Sequence, residues 1–293
     1  MERSSDRGST PLRSTQKKAK PDHRVRLCYM GELIMKKKVA VFDSGLGGIS
    51  VLRELVKVLP EEDFIYFGDS ANAPYGVRTR EDIQNLCENV IHKIISEEGS
   101  IKCVVIACNT ATSAAIDHLR KTFPEIKFIG IEPAIEWAAN DLDHPTVLTF
   151  ATDFTVNGDL FKNNVKRLSD KAKFISMGAP EFVKFVESGV NDRTGSEECI
   201  QYIDKLCEEI HEPVEAIVLG CTHFPFIREM IRKEVGKKLS CDPKLYDAAV
   251  LVADKTRKWL DDKGIREKDG KGTVKMMNSD PEKIDFMWEL YES

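Results

Sequence analysis

From residue 38 to the C-terminus, short apolar runs alternate with stretches of helical periodicity, and few folds admit that order. KVAVFD (38–43), DFIYFGD (63–69), CVVIA (103–107), KFIGI (127–131), TVLTF (146–150), KFISM (173–177), AIVLG (216–220) and TVKMM (273–277) read as strands. Helical patterns lie between them. Val51, Leu52, Leu55, Val56 and Leu59 share one helical face, with Pro60 as the stop. Thr79 and Asp82 make a capping-box pattern before Ile83, Leu86, Val90 and Ile94, and Gly99 ends that helix. A further helix is predicted from about residue 112, and PEKIDFMWELY (281–291) closes the chain as another. Strands that are apolar along their whole length have both faces covered. The pattern therefore predicts an α/β protein with parallel sheets.

A chain of 293 residues is long enough for two domains. The sequence also shows a weak internal symmetry. CVVIACNTATSAA and AIVLGCTHFPFI share one design: an apolar strand, a small residue, a cysteine, a nearby threonine, then the start of a helix. Their cysteines, Cys108 and Cys221, lie 113 residues apart, which fits two similar open parallel-sheet α/β domains with one such turn each. The expected division is 35–131 plus 245–293 for the first domain and 132–244 for the second. Residues 1–34 are basic, Ser/Thr-rich and poor in large apolar side chains, so they are expected to be a disordered leader. They lack the apolar segment of a signal peptide.

In open α/β sheets ligands bind beyond the carboxyl ends of the strands, where both cysteines should sit. Each is predicted to lie near a helix N-terminus, whose dipole would lower the thiol pKa from its free value of about 8.5. Asn109, Thr110 and Thr222 would place uncharged hydrogen-bonding groups near each sulfur, able to hold a carboxylate without a cation. Two thiols facing one carbon have a direct use. A thiolate removes a proton from one side, a thiol delivers one from the other, and the stereocentre inverts. The other thiols in patterned segments, Cys87, Cys103, Cys199 and Cys207, read as small buried hydrophobes.

Asp43-Ser44-Gly45-Leu46-Gly47-Gly48 follows the first strand and suggests close backbone approach to an anion, but it is neither a P-loop nor a dinucleotide fingerprint. Asp43 could orient a thiol or take part in proton transfer. Asp69-Ser70-Ala71-Asn72-Ala73-Pro74-Tyr75-Gly76 reads as a rigid turn, and His223 as an acid, base or binding partner of Cys221. The formal net charge of -5 argues against general nucleic-acid affinity, and no apolar run approaches a membrane span. Eight cysteines without a CxxC pair point to a reducing, cytoplasmic setting. No HExxH spacing occurs, so no metal is expected, although Cys221-Thr222-His223 could contribute ligands to one.

Taken together, VFDSGLGGISVLREL, YFGDSANAPYG, ACNTATSAA, ATDFT, FVESG, GCTHFP and the terminal SDPEKIDFMWELY resemble the glutamate racemases. The likeness runs from about residue 36 to 293. It implies two α/β domains with the active site between them, no cofactor, and a role in supplying D-glutamate for peptidoglycan. By motif position it implies Cys108 and Cys221 as the acid/base thiols. Asp43 and Glu187 would assist around Cys108, and His223 around Cys221. Ser44, Tyr75, Gly76, Asn109, Thr110, Thr152, Thr155 and Thr222 would bind substrate, together with Asp43, the two cysteines and His223. Two positions depart from the family pattern: Ala151, where Gly is frequent, and Asn72, where Arg is frequent. The expected partners are glutamate and a second copy of the chain in a homodimer; neither nucleic acid nor membrane is expected. Other readings stay open on residues alone. They are a racemase of aspartate or another acidic amino acid, a thiol hydrolase using Cys221 and His223, an amino-acid binding module, and a pyridoxal enzyme with a Schiff-base lysine.

Overall fold

KVAVFD forms β1 (Lys38–Asp43), buried from Val39 onward, and runs through the middle of a parallel sheet. The computed structural model describes residues 37–292, so the expected leader 1–34, with Cys28, lies outside the described residues. The chain continues through α1 (Ile49–Val58), β2 (Phe64–Gly68), α2 (Arg80–Glu98), β3 (Ile101–Ile106), α3 (Asn109–Thr122) and β4 (Phe128–Gly130). Then come α4 (Ile135–Asp141), β5 (Thr146–Ala151), α5 (Asp153–Asn157), α6 (Asp159–Leu168), β6 (Lys173–Gly178), α7 (Pro180–Glu187), α8 (Glu197–Cys207) and β7 (Ala216–Gly220). The last elements are α9 (Arg228–Leu239), β8 (Lys244–Asp247), α10 (Ala248–Asp262), β9 (Val274–Asn278) and α11 (Ile284–Glu292).

Two all-parallel sheets result, with strand orders β4-β3-β1-β2-β9 and β6-β5-β7-β8. This is the α/β class with two similar lobes. Burial follows position. The central strands β1, β2 and β7 are buried almost throughout, whereas β6, at an edge, leaves Lys173 and Ser176 exposed. A run of apolar residues therefore marks a strand covered on both faces, and KFISM is the weaker case because one side has no neighbour.

Helix boundaries have local causes. Val51, Leu52 and Leu55 of α1 face the core, and Pro60 lies just beyond the helix end. Thr79 caps α2 by accepting from Asp82 N at 3.2 Å, and Gly99 closes it at a φ of 71°. Ser196 caps α8 in the same way through Cys199 N. Cys87, Cys103, Cys199 and Cys207 are all buried inside helices or strands.

β8 is the strand that sequence periodicity does not reveal. It has four residues, two of them charged, and is held by Tyr246, whose hydroxyl donates to Asp141 at 2.7 Å. Because β8 pairs with β7, residues 245–247 belong to the second sheet, and the chain returns toward the first lobe after them rather than at 245. The returning helix, α10, packs along α1.

Candidate active site

β1 ends in Asp43, and the turn 44–48 feeds straight into α1. On one side of that turn stands Cys108, the N-cap of α3, whose Sγ accepts from Ala111 N at 3.4 Å and from Ser44 Oγ at 3.3 Å. The helix therefore starts at Asn109, three residues earlier than the sequence pattern predicts, because the cysteine itself caps it. Burial, and then the charge of Asp43, push the Cys108 thiol up to about 12 against the pull of both hydrogen bonds. That reverses the expectation of a lowered pKa. A helix N-terminus offers half a charge at most, whereas burial removes the whole hydration of a thiolate and a carboxylate stands close by. Asp43 is itself fully buried. Burial raises its pKa, opposed by the charge of His223 and by hydrogen bonds from Gly45 N at 2.9 Å and Thr222 Oγ1 at 3.1 Å.

On the other side stands Cys221, directly after β7. Here the internal symmetry breaks. Residues 224–227 form a short 3-10 turn, and α9 begins only at Arg228, so no α-helix starts at this cysteine. Pro225 contributes to this, since it has no N–H to give to Cys221 O, and that oxygen accepts from Phe224 N at 3.2 Å instead. The partner of Cys221 is an imidazole instead: Nδ1 of His223 lies 3.7 Å from Sγ. Nε2 of His223 lies 2.7 Å from Glu187 Oε1, at the end of α7, and the same oxygen accepts from Leu46 N at 3.0 Å. Burial works against a charged His223 ring, but its bonds to Cys221 and Glu187 hold its pKa well above 6.5. Burial likewise opposes the Glu187 carboxylate, yet the His223 hydrogen bond and charge keep its pKa below the usual range. The ring thus bridges the Glu187 carboxylate at Nε2 and the Cys221 sulfur at Nδ1, and these partners favour its charged form.

The glycines of the turn now have specific reasons. A Cβ on Gly45 would lie 2.5 Å from Glu187 Oε1, and one on Gly47 would lie 2.6 Å from Thr222 Oγ1. Only a bare backbone lets the second sheet's side chains come this close.

The remaining expected residues extend the contacts around the two sulfur-bearing turns. Thr110 and Thr152 hydroxyls meet at 3.0 Å across the two sheets, and Thr152 meets Thr155 at 3.0 Å while capping α5. Gly76 packs on Thr152, where an added Cβ would stand 3.2 Å from the threonine Cβ. Tyr75 is buried and donates to Asp69 Oδ2 at 2.6 Å. Asn109 is buried, and among the described residues its Oδ1 has no hydrogen-bond partner. Glu187, assigned by resemblance to the Cys108 side, contacts His223 as well as Leu46 N of the turn beside Cys108. Among the described residues no three His, Cys, Asp or Glu side chains group as metal ligands.

Residues 43–250 match the Asp/Glu/Hydantoin racemase family. The chain belongs to that family. A glutamate racemase of Clostridium novyi (strain NT) is 39% identical over 84% of this chain and 92% of its own length. Among solved structures, the Thermus thermophilus glutamate racemase in complex with β-chloro-D-alanine superposes with a TM-score of 0.70 at 29% identity, covering 87% of this chain and 92% of that one. The Francisella tularensis glutamate racemase in complex with D-glutamate gives 0.72 at 26% identity, covering 87% and 93%. As a racemase of this family, the protein is an isomerase.

Sequence reasoning passed over three residues of this racemase. Tyr66, inside β2, is fully buried and donates to Gly45 O at 2.8 Å, steadying the turn. Asp69 anchors both Tyr75 and Asn72, the latter through Nδ2 at 3.0 Å. Ser50, in the first turn of α1, reaches Thr222 O at 3.0 Å. A lone hydroxyl in an apolar strand is a weak signal for Tyr66; the other two carry none until the sheets are placed.

Proposed function

We propose that the protein interconverts L- and D-glutamate without a cofactor, by proton transfer to and from the α-carbon through Cys108 and Cys221. One observation carries the reading. The end of β1 and the turn after it touch both sulfur-bearing turns at once, through Ser44 Oγ to Cys108 Sγ at 3.3 Å and through Asp43 Oδ2 to Thr222 Oγ1 at 3.1 Å. In each cycle a thiolate takes the α-proton and becomes a thiol, leaving the electron pair on carbon. The opposite thiol protonates that carbon on its other face and becomes the thiolate. The enzyme ends with its protons exchanged, ready for the reverse direction or for re-equilibration with water. His223 Nδ1 stands 3.7 Å from Cys221 Sγ, within reach to exchange a proton with it, while burial and Asp43 favour the protonated form of Cys108. Direct inversion needs one thiolate and one thiol, with the roles exchanged in the reverse direction. Asn109 Oδ1 offers an acceptor for the substrate ammonium, and the hydroxyls of Thr110, Thr152 and Thr155 offer donors for its carboxylates, joined by Ser44 and Thr222 when their protons leave Cys108 Sγ and Asp43 Oδ2. Tyr75 and Gly76 form the wall beside them.

On this reading the two lobes are separate domains, the product is D-glutamate for peptidoglycan, and the enzyme works in the cytoplasm as a homodimer. The test is incubation with L-glutamate in deuterated water, followed by circular dichroism and mass spectrometry. Loss of optical activity with one α-deuteron gained is expected, and the Cys108→Ser and Cys221→Ser variants should each be slower by about 10³-fold. A Cys108→Ser variant with full turnover would overturn the two-thiol reaction. Faster α-exchange with aspartate than with glutamate would overturn the choice of substrate.

A further inference from the structure

The carbonyl of Thr222 sits between Cys221 and His223, and the local chain cannot satisfy it. Its i+3 donor would be residue 225, which is proline and has no N–H. The next candidate, Phe226 N, is committed to His223 O at 3.1 Å. Thr222 is buried, so an unpaired carbonyl there would carry a desolvation cost. The donor comes from the other lobe: Ser50 Oγ lies 3.0 Å from Thr222 O and 2.9 Å from Gly47 O. Gly47 O already accepts from Ser50 N at 3.1 Å, so it does not depend on the hydroxyl. A hydroxyl has one proton, and Thr222 is the acceptor that needs it.

We infer that Ser50 is a positioning residue. It pairs with the carbonyl that Pro225 leaves without a local donor, and so fixes the turn bearing Cys221 and His223 against the turn bearing Asp43 and Ser44. Ser50 acts through the backbone of Thr222 and touches neither sulfur. Its second acceptor makes the contact reversible. If the lobes part, the hydroxyl turns fully to Gly47 O and no buried donor is stranded. The first lobe thus carries the registration of the second thiol relative to the first, which two-sided proton transfer to one carbon requires.

This inference rests on the two-thiol reading for its kinetic consequence, though the Ser50 contact itself does not. The experiment is a double-mutant cycle of Ser50→Ala and Pro225→Ala, with Ser50→Thr as the rescue. Ser50→Ala should lower kcat about tenfold while KM moves less than about threefold, and Ser50→Thr should recover most of the loss. Pro225→Ala restores an N–H beneath the Thr222 carbonyl. The double variant should therefore be at least about threefold faster than the product of the single effects predicts. Iodoacetamide labelling read by peptide mass spectrometry supplies a signal independent of turnover. In Ser50→Ala the rate at Cys221 should change by about threefold or more, with Cys108 unaltered. If Ser50→Ala does not fold, Ser50→Cys, which keeps the volume and only a weak donor, takes its place in the cycle. Unchanged kcat and labelling, strictly multiplicative effects, or equal labelling changes at both cysteines would overturn the role of Ser50. A wild-type chain that racemises neither glutamate nor aspartate would instead overturn the proposed function, and the labelling would still decide the contact.

Discussion

Glu187→Gln keeps an oxygen within reach of His223 but removes its charge. Burial then has less opposition, so the His223 pKa should fall from well above 6.5 toward or below that value. Imidazole signals followed by NMR titration check this. The variant should also lose turnover about tenfold or more near neutral pH, as the ring beside Cys221 becomes neutral. An unshifted His223 titration would mean that Glu187 does not hold the ring's charge. At this scale sequence reading found the participants but not all their pairings. Glu187 matched a motif, yet its neighbour is a histidine 36 positions away, and only folding places Nε2 against its carboxylate. Cys108 was legible as a strand-end thiol. The direction of its pKa was not, because burial and the distance to Asp43 are properties of the packed molecule.

The turn between β1 and α1 serves as a platform for groups from the second sheet, and its glycines are steric rather than torsional requirements. Gly47→Ala puts a methyl against Thr222 Oγ1 and His223, and turnover should fall about 100-fold or more while far-UV circular dichroism stays as in the parent. Normal turnover in that variant would show that the two turns are not in contact during the reaction. Element order, type and most boundaries could be read directly, since hydrophobic period and capping residues act within a few positions. Thr79 and Gly99 mark both ends of α2 for that reason. The failures are equally physical. β8 is short with charged ends, and the apolar residues after Cys221 suit a helix start, whereas the chain there makes i+3 bonds in a 3-10 turn and Pro225 has no N–H for the α-helical bond to Cys221 O.

The whole molecule buries several thiols that cannot easily ionise. Burial, followed by the charge of Glu62, pushes Cys103 up to about 12; burial and Asp43 do the same for Cys108, against an ordinary value of 9.0. Burial also lifts Cys199 and Cys207 to about 11. Between pH 9 and 12 the unfolded chain sheds these protons while the folded chain keeps them. Stability therefore falls as pH rises, by on the order of 1 kcal/mol per pH unit for each fully buried thiol. Thermal melts from pH 8 to 11 should show a Tm that drops steeply above about pH 9, and Cys103→Ala should flatten that drop. A Tm independent of pH over this range would contradict the burial of these thiols. The contacts that unite the lobes, Thr110 with Thr152, Leu46 with Glu187 and Ser50 with Thr222, are each separated by tens of residues or more, so no local pattern announces them.

The amino-acid sequence by itself determined the α/β class, the parallel strands, the two cysteine-bearing strand ends and most of the hydroxyl groups around them. Those follow from side-chain period, from turn chemistry and from motifs, which operate over short spans of chain. Tertiary structure alone decided that Cys221 meets a histidine held by Glu187 while Cys108 meets Ser44 beside the buried Asp43. It also decided that Glu187 meets groups from both lobes and which hydroxyl serves the Thr222 carbonyl. Those outcomes depend on desolvation and on distances between the two sheets, and both exist only once the strands have been brought together.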